Sequence, residues 1–440
     1  DYTLSAITTN NVEKVTLSNF QTDNSYDVIV DAALMDSTLT TVGNSSSGAS
    51  GDTQFTGLKE IVDAVNSNGA GDLKLIYNSS VVSGTSDVQN LSVSNLTGGT
   101  FTADGIETLA VTSSVAKSSG VVLASSALKK VTIAGDQNLT ISTALDFASN
   151  GSATAPGAVV DASTFTGALT LTTTASEVLN ITGGSGNDKF TLASLTKNDS
   201  VDGGAGSDEV VVDAAGFTTE FTKVSNVEKV TLNDLGTALS LDASKLSAGV
   251  NQITVTLKDD ATGANALEST ISNLTGETVV ITRADEDADV DGQLDVTLTP
   301  KTDTESDAVS VTLKAVGVNG DENADTDGDE YGVGNLDVAN YETVNLTTSP
   351  STDGTTIVKN ELDTLTATKA TTVNVSGTAE LQLDAVSGGA LTKFDASDLA
   401  AKLAVTFSGD KVAVTGAQKD STIAFGSSLD NNDSVTGGAG

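Results

Sequence analysis

The run ITGGSGNDKFTLASLTKNDSVDGGAGSDEVVV, residues 181–212, contains Gly-Gly-x-Gly-x-Asp twice, beginning at Gly183 and at Gly203. Glycines at these spacings allow positive φ and close backbone approach, so carbonyl oxygens can converge on a point. Asp188 and Asp208 each add a carboxylate, and an apolar residue, Phe190 or Val210, follows two places later. Hard oxygen donors of this kind suit calcium far better than zinc or copper. This is the calcium-binding nonapeptide pattern of parallel β-helices, in which two units make one coil and turns on one side recur after about eighteen residues. The observed spacing of twenty places one turn nearly over the other. It predicts an ion between successive coils, held by Asp188, Asp208 and carbonyls near Gly184, Gly186, Gly204 and Gly206. A third glycine turn begins at Gly437.

Two acidic loops could do similar chemistry. In DADVDGQLD, Asp287, Asp289 and Asp291 occupy alternate positions, Gly292 follows, and Asp295 stands ninth. In NADTDGDEYG the same role falls to Asn323, Asp325, Asp327 and Gly328, followed by Asp329. Both resemble the EF-hand loop, where alternate oxygens and a glycine turn wrap the ion. Both lack its bidentate Glu, since the twelfth positions are Leu298 and Gly334, and no flanking helices are visible. A solvated acidic loop is the alternative for each.

Other chemistries are poorly provided for. With no His and no Cys, imidazole bases, Ser-His-Asp triads, thiolate metal sites and disulfides are all missing. The 59 acidic against 21 basic residues give a net charge of -38, which repels nucleic acid and anionic membrane surfaces. Such a surplus opposes compaction unless cations neutralise it. No run is long and apolar enough for membrane insertion. The chain opens on Asp1 and stops inside a glycine-rich turn, so it reads as a fragment, with export and anchoring segments elsewhere.

The elements that must hold these turns read as strands. Short alternating runs of Val, Leu, Ile and Thr are separated by Gly, Ser, Asn and Asp, which is strand and turn chemistry. An apolar-Glu-x-apolar-x-apolar string recurs at Val12, Ile106, Val227 and Tyr341, with a looser copy at Ser176. Alternation buries Val15 with Leu17 and Val230 with Leu232, and the Glu is expected to face solvent. The clearest helix signal is LKEIVDAVNSNG, where Leu58, Ile61, Val62 and Val65 share one helical face before Gly69. Only 4% aromatic residues and three prolines suit a thin stacked solenoid with continuous backbone pairing.

Longer echoes divide the chain. NVEKVTL recurs with an offset of 215 and SNLTG with 178, whereas DAS and NDSV recur with 234. The reading is two divergent β-solenoid halves, 1–215 and 216–440, with an acidic insertion at about 283–337 in the second. The fold class expected is all-β, a calcium-stabilised parallel β-solenoid or β-roll.

At IETLAVTSS, LTKFDASDL and VDGGAGSDEV the chain resembles bacterial surface-layer (S-layer) proteins of the RTX type, the Caulobacter kind being nearest. The resemblance implies type I secretion, calcium-driven folding outside the cell, and assembly of copies into a two-dimensional lattice on the bacterial surface. It also implies attachment to cell-surface polysaccharide through a part outside this chain. The function expected is structural and non-enzymatic. An RTX adhesin of biofilm surfaces is the alternative, although tandem near-identical domains are missing. A polysaccharide-active enzyme would have only carboxylate pairs to work with.

Overall fold

The computed structural model describes residues 2–4, 12–18, 28–34, 39–47, 53–69, 71–149, 156–174, 177–213, 221–235, 239–257, 267–283, 294–314, 333–350, 359–408, 411–427 and 429–439. Over these residues the chain is all-β, with parallel strands stacked as a β-solenoid. Within each sheet the strands are parallel, and a strand typically pairs with the one two places on in the chain, so that successive strands alternate between sheets. No described helix is long and apolar enough to cross a membrane.

The chain divides into two compact units. The first holds the residues up to Val211 together with Phe221–Glu228, and the second runs from Lys229 onwards with a short segment beginning at Val212. In the first unit one sheet is ten-stranded, from Lys14–Ser18 to Val224–Ser225. In the second unit one sheet is eight-stranded, from Ser240–Asp242 to Ser421–Ala424.

The core follows from alternation and register. Val230, Ile253, Val279, Val311, Leu346 and Val375 stand in register on successive strands, each essentially unexposed. Burying each such side chain is worth about 1.5–3 kcal/mol. A coil only two sheets thick is filled by these aliphatic columns, so few large rings are needed. Phe394, Phe407 and Phe425 form a short stack where they do occur, with centroids 5.1 and 5.3 Å apart. Val230 and Leu232 are buried as the alternation requires; in the first copy Leu17 is buried and Val15 only partly so.

The helix expected over LKEIVDAVNSNG is not formed. Leu58 closes the strand Thr53–Leu58, and Val65 lies in the strand Ala64–Gly69. Leu58, Val62 and Val65 are buried and Ile61 is only half-buried. The three apolar side chains fill a strand end, a corner and the next strand, and pairing with the coils on either side overrides the local helical period.

The glycines of the twin turns are required by stacking. A Cβ at Gly184 would lie 2.2 Å from the Phe165 carbonyl oxygen, and one at Gly186 2.2 Å from that of Gly167. One coil later, Gly204 and Gly206 would meet the carbonyls of Gly184 and Gly186 at 2.1 and 2.2 Å. Those two also have positive φ, 94° and 136°. At Gly389, by contrast, nothing lies within 4 Å of an added Cβ. Denaturant unfolding with chelator present should therefore show Gly186→Ala losing about 3 kcal/mol or more, while Gly389→Ala stays within about 0.5 kcal/mol. Equal, small effects would contradict the stacking role.

Candidate metal centre

Asp188 and Asp208 occupy one structural position, the residue just before a strand, in the coils that begin Lys189–Leu192 and Glu209–Asp213. The backbone N–H there points along the stack and needs an acceptor from the neighbouring coil. The acid of the following coil supplies it. Asp188 Oδ1 accepts from Leu169 N at 2.8 Å, Asp208 Oδ1 from Asp188 N at 2.7 Å, and Glu228 Oε2 from Asp208 N at 2.8 Å. The result is a continuous ladder of carboxylates, one per coil.

The ladder extends beyond the glycine turns. Glu107 takes Asp87 N at 2.9 Å, and Glu342 takes Asp307 N at 2.8 Å. Asp199 takes Leu179 N and, at the matching position of the NDSV echo, Asp433 takes Val412 N. Each of these acids stands two residues before an apolar residue, which is buried at Phe190, Val210, Val230, Leu109, Val344 and Val201 and exposed at Val435, on the last strand. The acid-x-apolar spacing was visible in both motifs, yet the sequence treated the Asp as a ligand and the Glu as solvent-facing. That second expectation is corrected here: Glu107 is only 6% exposed, and Glu228 and Glu342 are half-buried with their carboxylates on backbone amides. Glu13, in the first coil of its sheet, is exposed.

The ladder members differ in electrostatics. Asp433 is held below the usual carboxylate range by the Asp430 and Val412 amides; Asp307, whose amide and not its carboxylate joins the ladder, is held low by its bonds to Thr304. Burial pushes Asp188 up, against the Gly184 and Leu169 amides. Asp208 is raised to about 6, chiefly by burial, with the charges of Asp188, Glu228 and Asp202 adding to it.

How well the turns suit calcium can be judged from their donors. Asp188 has both oxygens committed, Oδ1 as above and Oδ2 to Gly184 N at 2.7 Å. The Gly184 carbonyl accepts from Ala205 N at 2.9 Å. Asp202 Oδ1 accepts from Asn226 Nδ2 at 2.7 Å. Asp208 Oδ2, however, is buried and has no partner. A fully buried, unpaired carboxylate oxygen among three like charges is what a cation would relieve. Among the described residues no group of three or more acidic side chains converges to hold a metal, so backbone carbonyls would supply the other donors. Asp87 Oδ2 is likewise buried and unpartnered, but no glycine cage surrounds it.

The acidic loops fall differently. Asp287, Asp289, Asp291, Asn323, Asp325, Asp327 and Asp329 lie outside the described residues. Asp295 is in the strand Leu294–Pro300, and its Oδ1 accepts from Asn335 N at 2.7 Å. It braces the next coil there, as a strand residue and not a loop one.

No protein-family model and no curated protein matches the chain. The fold and the carboxylate ladder therefore define it as a β-solenoid whose coils are locked by acids.

Two outcomes follow. Glu107→Ala leaves a buried amide without an acceptor and should cost about 1–3 kcal/mol, while Glu107→Gln, which keeps a carbonyl oxygen, should cost less. Urea titrations monitored by circular dichroism decide this, and equal losses would contradict the amide-acceptor role. For Asp208 the sign is reversed. Its folded pKa of about 6 lies above the ordinary 3.8, so the folded state binds the proton more tightly. Its unfavourable contribution, full above pH 6, should fade as pH drops towards 4. In chelator, Asp208→Asn should flatten this part of the stability-pH curve; an unchanged curve would contradict the assignment.

Proposed function

We propose that the protein is a structural component of a secreted, self-assembling bacterial surface layer, folded and cross-linked by calcium. The observation that carries the calcium part is the unpaired, buried Oδ2 of Asp208 inside a pair of stacked glycine turns. Asp208 and carbonyls around Gly184, Gly186, Gly204 and Gly206 would hold the ion; Asp188, already spent on two amides, would orient the turn. When bound, the cation neutralises the carboxylates of Asp188, Asp202, Asp208 and Glu228 and cross-links adjacent coils.

The energetics favour a structural role. Extracellular modules bind calcium at roughly 10⁻⁴ to 10⁻³ M, and an ion at about 100 times its dissociation constant adds roughly 2.7 kcal/mol. That is a sizeable fraction of an ordinary domain's 5–15 kcal/mol, roughly speaking. The uniform coil, built from one repeated brace, suits a protein that works as a building unit outside the cell. Secretion and attachment to surface polysaccharide would be served by segments other than this one.

Light scattering and negative-stain imaging, with and without millimolar calcium, test this directly. Ordered sheets should appear only with the ion. Monomers under both conditions would contradict the coat, and monomers that recognise a glycan would favour an adhesin.

A further inference from the structure

The second unit presents two very different outer faces. On its eight-stranded sheet, Glu268, Asp295, Asp337, Glu361 and Glu380 stand on five successive strands, none of them buried. The other sheet has the strands Gln252–Leu257, Thr278–Arg283, Ala308–Lys314, Thr343–Ser349 and Thr372–Gly377. One outward column there reads Gln252, Thr278, Ser310, Asn345, Asn374. Its neighbour reads Thr254, Val280, Thr312, Thr347, Ser376. All these residues are half-buried, as a flat sheet surface requires. No acid occurs in these columns over the five strands, in a chain with 59 acidic residues; Asp395 and Asp398 on the next strand, in register with Asn374 and Ser376, mark the strip's edge.

Residue chemistry then selects the partner. Carboxylates only accept hydrogen bonds, so Glu268, Asp295 and Asp337 cannot pair with their own copies, while Glu361 and Glu380 are already engaged by Lys359 and Lys402. Hydroxyls and amides both donate and accept, so a Thr/Asn/Ser strip is self-complementary, the condition for a two-fold contact. The strip already forms such bonds across coils: Asn374 Nδ2 donates to Asn345 Oδ1 at 2.9 Å, and the Thr347 and Ser376 hydroxyls are 3.1 Å apart. Exposed charges further than about 8 Å apart are screened at physiological salt. The local charge of the strip, and not the total of -38, therefore sets the repulsion between two copies meeting there.

We propose that this uncharged strip is where the chain packs face to face on a second copy of itself, an inference that rests on the coat reading above. Five strands at a spacing of about 4.8 Å, and the three residues per strand that the two columns span at about 3.3 Å rise, give a strip of roughly 240 Å² per copy. A stable isolated pair usually buries about 800 Å² per partner. The strip is therefore one of several repeated contacts in an assembly and not the seam of a permanent dimer.

The test uses calcium-loaded protein and two substitutions. Thr312→Glu puts a charge at the strip's centre and should raise the concentration needed for sheet formation about tenfold or more, while Glu268→Gln on the acidic face should not raise it. Circular dichroism confirms that both variants fold. Because the chain has no cysteine, Thr312→Cys should give disulfide-linked pairs on mild oxidation during assembly, whereas Glu268→Cys should not. Wild-type sheets matched by equally competent Thr312→Glu sheets, with Thr312→Cys unlinked, would overturn the strip and leave the coat standing. Wild-type protein that never self-associates would overturn both, whereas a strip that holds only a neutral polysaccharide and no second copy would overturn the strip alone.

Discussion

A parallel solenoid must satisfy a backbone N–H at every corner where the chain leaves a turn and enters a strand. Inside a strand the ladder does this automatically. Just before it, some amides reach a carbonyl of the neighbouring coil, as at Lys129, Glu228, Glu342 and Thr371; at the other corners a different acceptor is needed, since an unmet buried donor costs about 1–3 kcal/mol. The protein meets the requirement with a carboxylate from the following coil, at Asp188, Asp208, Glu228, Glu107 and Glu342 among others. Register, corner geometry and much of the electrostatics depend on that bond.

The same bond explains how a chain with a net charge of -38 can fold. Several of its acids are not free surface charges; they are hydrogen-bonded to amides, and charge-assisted bonds of this kind are among the stronger ones. Where a ladder carboxylate is only half-buried, as at Asp433, its bonds to the Asp430 and Val412 amides hold it ionised. Where it is buried and crowded, as at Asp208, the balance reverses and a spare oxygen is left over. The glycine turns are thus the place where the brace and a cation-seeking group coincide.

Much of the fold was legible in the sequence. Alternation gave strands such as Lys229–Leu235 with the right residues inward, and the glycine spacing gave the near-coil stacking of Gly184 on Gly204. The site was legible only in part. Asp208 was found through its motif, but its partner Glu228 sat in a string whose Glu looked like an ordinary surface carboxylate. What linked them was the acid-x-apolar spacing, whose meaning appears only when coils are stacked: the acceptor and its amide lie about twenty residues apart. The segment Leu58–Val65 misled for a related reason. Four apolar residues, Leu58, Ile61, Val62 and Val65, matched a helical period, and only pairing with adjacent coils shows that a corner uses the same spacing.

Backbone amide hydrogen exchange in the presence of chelator tests the ladder most directly. The amides of Leu169, which opens its strand, and of Asp188, Asp208, Asp87 and Asp307, which precede theirs, should be protected to nearly the same degree as those inside the strands. Fast exchange at these five positions, against slow exchange in the adjoining strands, would contradict the claim that carboxylates close the coil.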